Sequence, residues 1–187
     1  SDAGAAQATV DKLADELAVA LGKAVFSTNG ESMEEVVGKL LKTHGETLSV
    51  AESCTGGLIG RRITEVAGSS AYFLEGAITY SNDAKMRTLG VPADVLEKHG
   101  AVSAECAEAM AAGMRKYAAS THAISVTGIA GPDGGSDEKP VGTVFIGYAG
   151  PGGVKSIKFA LPGDRYLIRW RSSQAALDYL RRQIMKG

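Results

Sequence analysis

A serine, a cysteine and a threonine stand together at Ser53-Cys54-Thr55, between the apolar run Leu48–Ala51 and the pair Gly56-Gly57. A chain that turns there from a strand into a helix presents a hydroxyl or a thiol beside backbone N–H groups that have no partner inside the helix. That setting suits anion binding or activation of a nucleophile, and equally the plainer role of a capping serine or threonine. A serine needs a base before it can attack a carbonyl carbon, and Lys85 is the candidate. An amine taken out of water loses enough basicity to accept a serine proton, provided that its helix turns it toward Ser53 and does not leave it in solvent. Cys54 competes for the role, since a helix N-terminus favours a thiolate. His44, His99 and His122 fall at a helix end, before a turn and within a strand. Those places suit structural roles better than a Ser/His or Cys/His arrangement. Tyr80 and Thr127 stand at the ends of two further apolar runs. Arg165, next to Asp164 at the start of the last helical segment, could offer its guanidinium fork to a phosphate or merely to a surface carboxylate. Ser69 and Ser70, after Gly68, could donate to a ligand or close a turn.

These side chains share a site only if the strands that carry them end side by side. Apolar runs ending at Ala51, near Ile78 and at Val126 alternate with helical periodicity, which predicts an α/β fold, a three-layer α/β/α sandwich around a mixed, mostly parallel sheet. Parallel strands bring their C-terminal ends to one edge, where ligands bind, so Ser53, Tyr80 and Thr127 are expected to converge there. The supporting helices are legible from their caps. Ser32 starts a helix through Met33, Val37 and Leu41 that stops at Gly45; Asn82 or Asp83 starts the short helix bearing Lys85, which ends at Gly90. Ser103 opens a helix whose Cys106, Met110 and Met114 share a core face, and Asp164 opens the last one, through Leu167, Trp170, Leu177, Leu180 and Ile184. Between them, Thr127–Ser136 is too long and too rich in glycine for a simple connector, yet it lacks the lysine–hydroxyl ending of a P-loop. Val141–Tyr148 and Lys155–Leu161 read as a hairpin. Residues 1–30 read as an appendage, a helix through Val10, Leu13, Leu17 and Leu21 followed by a short extended piece, attached to a main domain over 31–187.

Composition narrows the choice of partners. The 187 residues carry 20 basic and 21 acidic side chains, so no global field draws the chain to nucleic acid or to an anionic membrane, and any anion site must be local. Two cysteines in unlike surroundings form neither a disulfide framework nor a zinc ligand set, which fits a reducing, cytoplasmic setting. No apolar run approaches bilayer length.

The ordered motifs AESCTGG (Ala51–Gly57), GSSAYFLEGAITYSNDAK (Gly68–Lys85), GAVS (Gly100–Ser103), TGIAGPDGG (Thr127–Gly135) and KPVGTV (Lys139–Val144) are those of one family. From about Glu31 onward the chain resembles the C-terminal domain of the competence/damage-inducible CinA family, which includes nicotinamide-nucleotide amidohydrolases. The resemblance implies Ser53 as nucleophile and Lys85 as its base, with Tyr80 beside them. It implies Ser70, Thr127 and the loop residues Gly128, Ala130 and Gly131 around the reacting amide, and Arg165 in the ligand site. The implied reaction hydrolyses the carboxamide of nicotinamide mononucleotide, a pyridine mononucleotide, to nicotinic acid mononucleotide and ammonia, with neither metal nor cofactor and in a homo-oligomer. It also implies that the first 30 residues close a preceding domain of longer CinA proteins. The alternative is a non-catalytic nucleotide-binding or assembly domain.

Overall fold

The computed structural model describes residues 2–186. Its helices are α1 (Asp2–Leu21), α2 (Met33–His44), α3 (Leu58–Thr64), α4 (Asn82–Leu89), α5 (Ala93–His99), α6 (Ala104–Ala118) and α7 (Arg165–Ile184). The strands β1 (Leu48–Glu52), β2 (Phe73–Ile78), β3 (His122–Gly128), β4 (Thr143–Gly150) and β5 (Gly153–Ala160) form one sheet in the order β2-β1-β3-β4-β5. β1 lies between β2 and β3, parallel to both, while β4 pairs antiparallel with β3 and β5 antiparallel with β4. Only β4 therefore runs against the common direction. The α/β sandwich on a mixed sheet is the expected architecture.

Strand alternation decides how the layers differ. Leu48, Val50, Ile124, Val126, Val144 and Ile146 point to one side, where they join Met33, Val37 and Leu41 of α2, Ile59 and Ile63 of α3, and Ile168, Leu177 and Leu180 of α7 in the main core. The other side carries Ser49, Ala51, Ala123 and Ser125, all fully buried, beneath α6. These residues are small because α6 comes very close. The Ser125 hydroxyl donates to the carbonyl of Ala107 at 2.6 Å, and a Cβ added at Gly147 would lie 2.2 Å from that same carbonyl oxygen. Cys106, Met110 and Met114 fill the space between α6, Leu89 and Val91.

Capping fixes where the helices begin. Ser32 and Glu35 form a reciprocal capping box at α2, and Ser103 and Asp164 accept from Cys106 and Leu167 at α6 and α7. At α4 the cap is Ser81, one residue before the expected Asn82 or Asp83. β2 is shorter than its apolar run, because Ser69–Ala71 form a 3-10 turn before it. After Pro92 the chain makes α5, too short for its periodicity to show in the sequence. In α1, Val10, Leu13, Leu17 and Leu21 are all more than half exposed. The segment after α1 does attach: Arg181 donates to the carbonyl of Lys23 at 2.6 Å, and Phe26 packs against the main core.

Candidate active site

Construction starts at Glu52, the last residue of β1, which sequence reasoning passed over. Its carboxylate is 1% exposed and accepts from the backbone N–H groups of Gly57 (3.0 Å), Ile59 (3.1 Å) and Gly60 (2.8 Å). A strand-end carboxylate thus caps α3 from outside the helix, opposite the positive end of its dipole. The α3 amides expected to face Ser53 are already taken, and neither Ser53 nor Thr55 caps the helix. Between the two anchors the chain folds a tight loop. Ser53 N–H donates to the carbonyl of Val126, Gly56 N–H returns to the carbonyl of Ser53, and Gly56 and Gly57 adopt φ of 60° and 92°, where a side chain would strain the backbone. Arg169 of α7 closes the loop from outside, donating to the carbonyl of Thr55 at 2.7 Å.

Lys85 arrives from the neighbouring strand end. Ser81 starts α4 immediately after β2, and one helical turn later Lys85 points back under the sheet edge, 1% exposed. Its Nζ lies 3.2 Å from Ser53 Oγ, 2.9 Å from the carbonyl oxygen of Thr79 and 3.3 Å from that of Tyr80. Among the described residues no carboxylate touches it, and burial holds the amine below the usual lysine range. A neutral amine has two N–H donors and one lone pair. With the carbonyls of Thr79 and Tyr80 taking the donors, the lone pair is left for the Ser53 hydroxyl. The solvated-lysine alternative is excluded by this burial.

The remaining residues wall a cavity of about 290 Å³ above Ser53 and Lys85, lined by these two, Cys54, Tyr80, Thr127, the loop from Gly128 to Gly131, and Arg165. Thr127 is buried and spends its hydroxyl on the carbonyl of Ala101 at 2.8 Å, so it holds the Gly100–Ser103 turn against the cavity. Arg165 bridges the mouth, donating to the carbonyl of Gly131 at 2.8 Å and to the Tyr80 hydroxyl at 3.2 Å. The backbone N–H groups of Cys54, Ala130 and Gly131 donate to no other residue among those described. Asp133, Ala101 and Val102 also line the cavity; the sequence reading holds them only within its GAVS and TGIAGPDGG motifs and gives them no role. Asp133 adds a carboxylate in the glycine-rich loop, a signal the sequence did contain.

Ser70 is not brought here. It sits in the 3-10 turn before β2, exposed and at the N-terminal edge of the sheet, the opposite edge from Ser53. Cys54 lines the cavity but is buried, and burial pushes its thiol up to about 12. Such a thiol holds almost no thiolate near neutrality. None of the histidines reaches the cavity. His122 is clamped between Glu46 (2.8 Å) and the Tyr148 hydroxyl (2.9 Å) at the other end of the sheet, and His44 leans on the carbonyl of Leu40. Among the described residues, no three His, Cys, Asp or Glu side chains gather where they could hold a metal ion.

The family description "CinA C-terminal domain" matches residues 30–184. The chain belongs to the CinA family. It is 54% identical over 181 residues to a CinA-like protein of Geotalea daltonii, with 95% of this chain and 44% of the relative aligned, and 51% identical over 180 residues to one of Koribacter versatilis, with 96% and 44% aligned. The chain thus spans about 44% of the length of these curated CinA relatives. Among solved structures, a CinA superfamily protein of Klebsiella pneumoniae superposes with a TM-score of 0.80 at 31% identity, covering 84% of this chain and all of that one. A competence/damage-inducible protein of Agrobacterium tumefaciens superposes with a TM-score of 0.75 at 40% identity, covering 82% of this chain and 97% of the other.

Proposed function

We propose that this CinA domain is an amidohydrolase that removes ammonia from the carboxamide of nicotinamide mononucleotide through a Ser53–Lys85 dyad and an acyl-enzyme. The observation that carries the reading is the buried Lys85 amine, 3.2 Å from Ser53 Oγ, with two carbonyls fixing its remaining hydrogens. Neutral Lys85 takes the Ser53 proton as Oγ bonds to the carboxamide carbon, and the amide C=O becomes an oxyanion. The free N–H of Cys54, next to the nucleophile, and those of Ala130 and Gly131 across the cavity are the donors available to that oxyanion. Collapse breaks the C–N bond, Lys85 returns its proton to the leaving nitrogen, and ammonia departs. Water, deprotonated by the again neutral Lys85, then cleaves the ester to nicotinic acid mononucleotide and frees Ser53.

Arg165, at the mouth, keeps guanidinium donors beyond the two bound to Gly131 and Tyr80 and is the cation placed to meet the nucleotide phosphate. Incubation of the chain with nicotinamide mononucleotide, reading ammonia and nicotinic acid mononucleotide together, tests the reading. Equal amounts of both products are expected from the wild type and neither from Lys85→Ala. Saturable nucleotide binding without either product would return the domain to the non-catalytic alternative.

A further inference from the structure

A second cavity, of about 250 Å³, opens between α3 and α7 and shares no residue with the one above Ser53. Arg61, Arg62 and Glu65 wall it from α3 and its C-terminal end, and Tyr166, Arg169 and Trp170 wall it from α7. Its charges do not cancel. Arg61 is paired with Glu65 at 3.0 Å, and Arg62 with Glu34 at 2.7 Å. Arg169 is left over: it is half-buried, and its one hydrogen-bond partner among the described residues is the carbonyl of Thr55. A guanidinium has five N–H donors, so most of this one is unspent. Beside it, Tyr166 and Trp170 stand four residues apart on α7 and are therefore neighbours on one face. They are 72% and 42% exposed, two large rings left in water next to an unbalanced cation.

We infer that this cavity binds a nucleoside monophosphate, with the base stacked on Tyr166 and Trp170 and the phosphate held by Arg169. The class of ligand follows from the set of side chains. Aromatic faces accept any base, and a guanidinium fork matches a pair of phosphate oxygens. Arg61 can join it at the phosphate, because an exposed i,i+4 pair such as Arg61–Glu65 holds its arginine weakly. The ligand bears on Ser53 through a single side chain, since the guanidinium that takes the phosphate also holds the Thr55 carbonyl. Occupancy fixes Arg169 and with it the loop that carries Ser53, which makes the cavity an effector site separate from the reaction chamber.

Trp170 is the only tryptophan of the chain, so its fluorescence, excited beyond the absorption of the base, reads the cavity directly. The test titrates adenosine 5′-monophosphate and adenosine into the wild type, Arg169→Gln, Tyr166→Ala and Arg165→Gln. Saturable quenching by the monophosphate is expected, with adenosine about tenfold weaker or worse. Arg169→Gln should raise Kd about tenfold or more and Tyr166→Ala about fivefold or more, whereas Arg165→Gln, at the other cavity, should leave it unchanged. Amide exchange at Gly56 and Gly57 should slow when the monophosphate saturates the wild type. If Arg169→Gln unfolds, Tyr166→Ala carries the test, since so exposed a ring is not needed for folding. Absence of saturable quenching, a Kd unmoved by these two substitutions, a Kd raised instead by Arg165→Gln, or amide exchange unchanged at saturation would overturn the inference. None of these readings uses ammonia release, so they are separate from the test of the proposed deamidation.

Discussion

At Lys85 the amine lies against the carbonyl oxygens of Thr79 and Tyr80 and the Ser53 hydroxyl, and in the proposed reaction it is the neutral form, its two hydrogens on the carbonyls, that turns a lone pair to Ser53. The proposed activity then depends on Lys85 being unprotonated. The value of kcat/KM is expected to rise with pH along a limb that lies below an ordinary lysine's titration, since burial lowers the amine's basicity. Stability follows with a definite sign: between the lowered folded value and the ordinary one the unfolded chain binds the extra proton, so stability rises with pH across that window and the cost of burial is fully felt below it. Replacing Lys85 by methionine should abolish the kinetic limb together with turnover while flattening that pH dependence of stability. A pH–rate profile paired with denaturant midpoints at several pH values checks both. An unchanged rising limb in the variant would assign the base elsewhere. Arg165→Gln should mainly raise KM for the mononucleotide, by about tenfold or more, as expected for loss of a charge-assisted contact. Steady-state kinetics read this directly.

The loop that carries Ser53 is held by elements on three sides: the Glu52 carboxylate at the end of β1, the first amides of α3, and Arg169 from α7. Glu52→Gln keeps the shape of the side chain but replaces one acceptor oxygen by an N–H₂ that faces backbone donors. A loss of about 1.5–3 kcal/mol in unfolding free energy is expected, with kcat falling more than KM rises, because the position of Ser53, the proposed nucleophile, is what loosens. Arg62 ties the layer together below. Buried at 3% exposure, it reaches Glu34 of α2 at 2.7 Å and Ser173 and Gln174 of α7 at 2.9 and 2.7 Å, with Trp170 stacked 4.4 Å from its guanidinium. Arg62→Ala leaves Glu34 without its partner and should cost about 3 kcal/mol or more in urea unfolding. Neither role was legible in the sequence. A glutamate before a serine and the second of two adjacent arginines in a short helix look like solvent-facing groups, and only the tertiary arrangement shows which polar atoms they satisfy. The cap positions of α2, α6 and α7 were legible, because their hydrogen bonds are local.

On the scale of the whole molecule, the alternation of apolar runs with helical periodicity was enough to give the α/β sandwich, and the convergence of three strand ends follows from β1, β2 and β3 being parallel. Ser53, Tyr80, Lys85, Thr127 and Arg165 meet at that edge. Ser70 does not, because a residue before a strand begins belongs to the other edge. The exposure of α1 bears on the architecture too. Removal of residues 1–21 is expected to change unfolding free energy by less than about 0.5 kcal/mol and to leave turnover intact, since the attachment to the main domain runs through Lys23 and Phe26. A large loss of stability in the shortened chain would show that α1 is part of the core fold.

The measurement that bears most directly on the dyad is the mass of the covalent intermediate. Acid quenching of the chain during turnover of nicotinamide mononucleotide, followed by peptide mapping, should find the substrate minus ammonia attached to Ser53. Ser53→Ala should carry no adduct and release no ammonia. Steady ammonia release by Ser53→Ala, or an adduct on Cys54 in its place, would contradict the account.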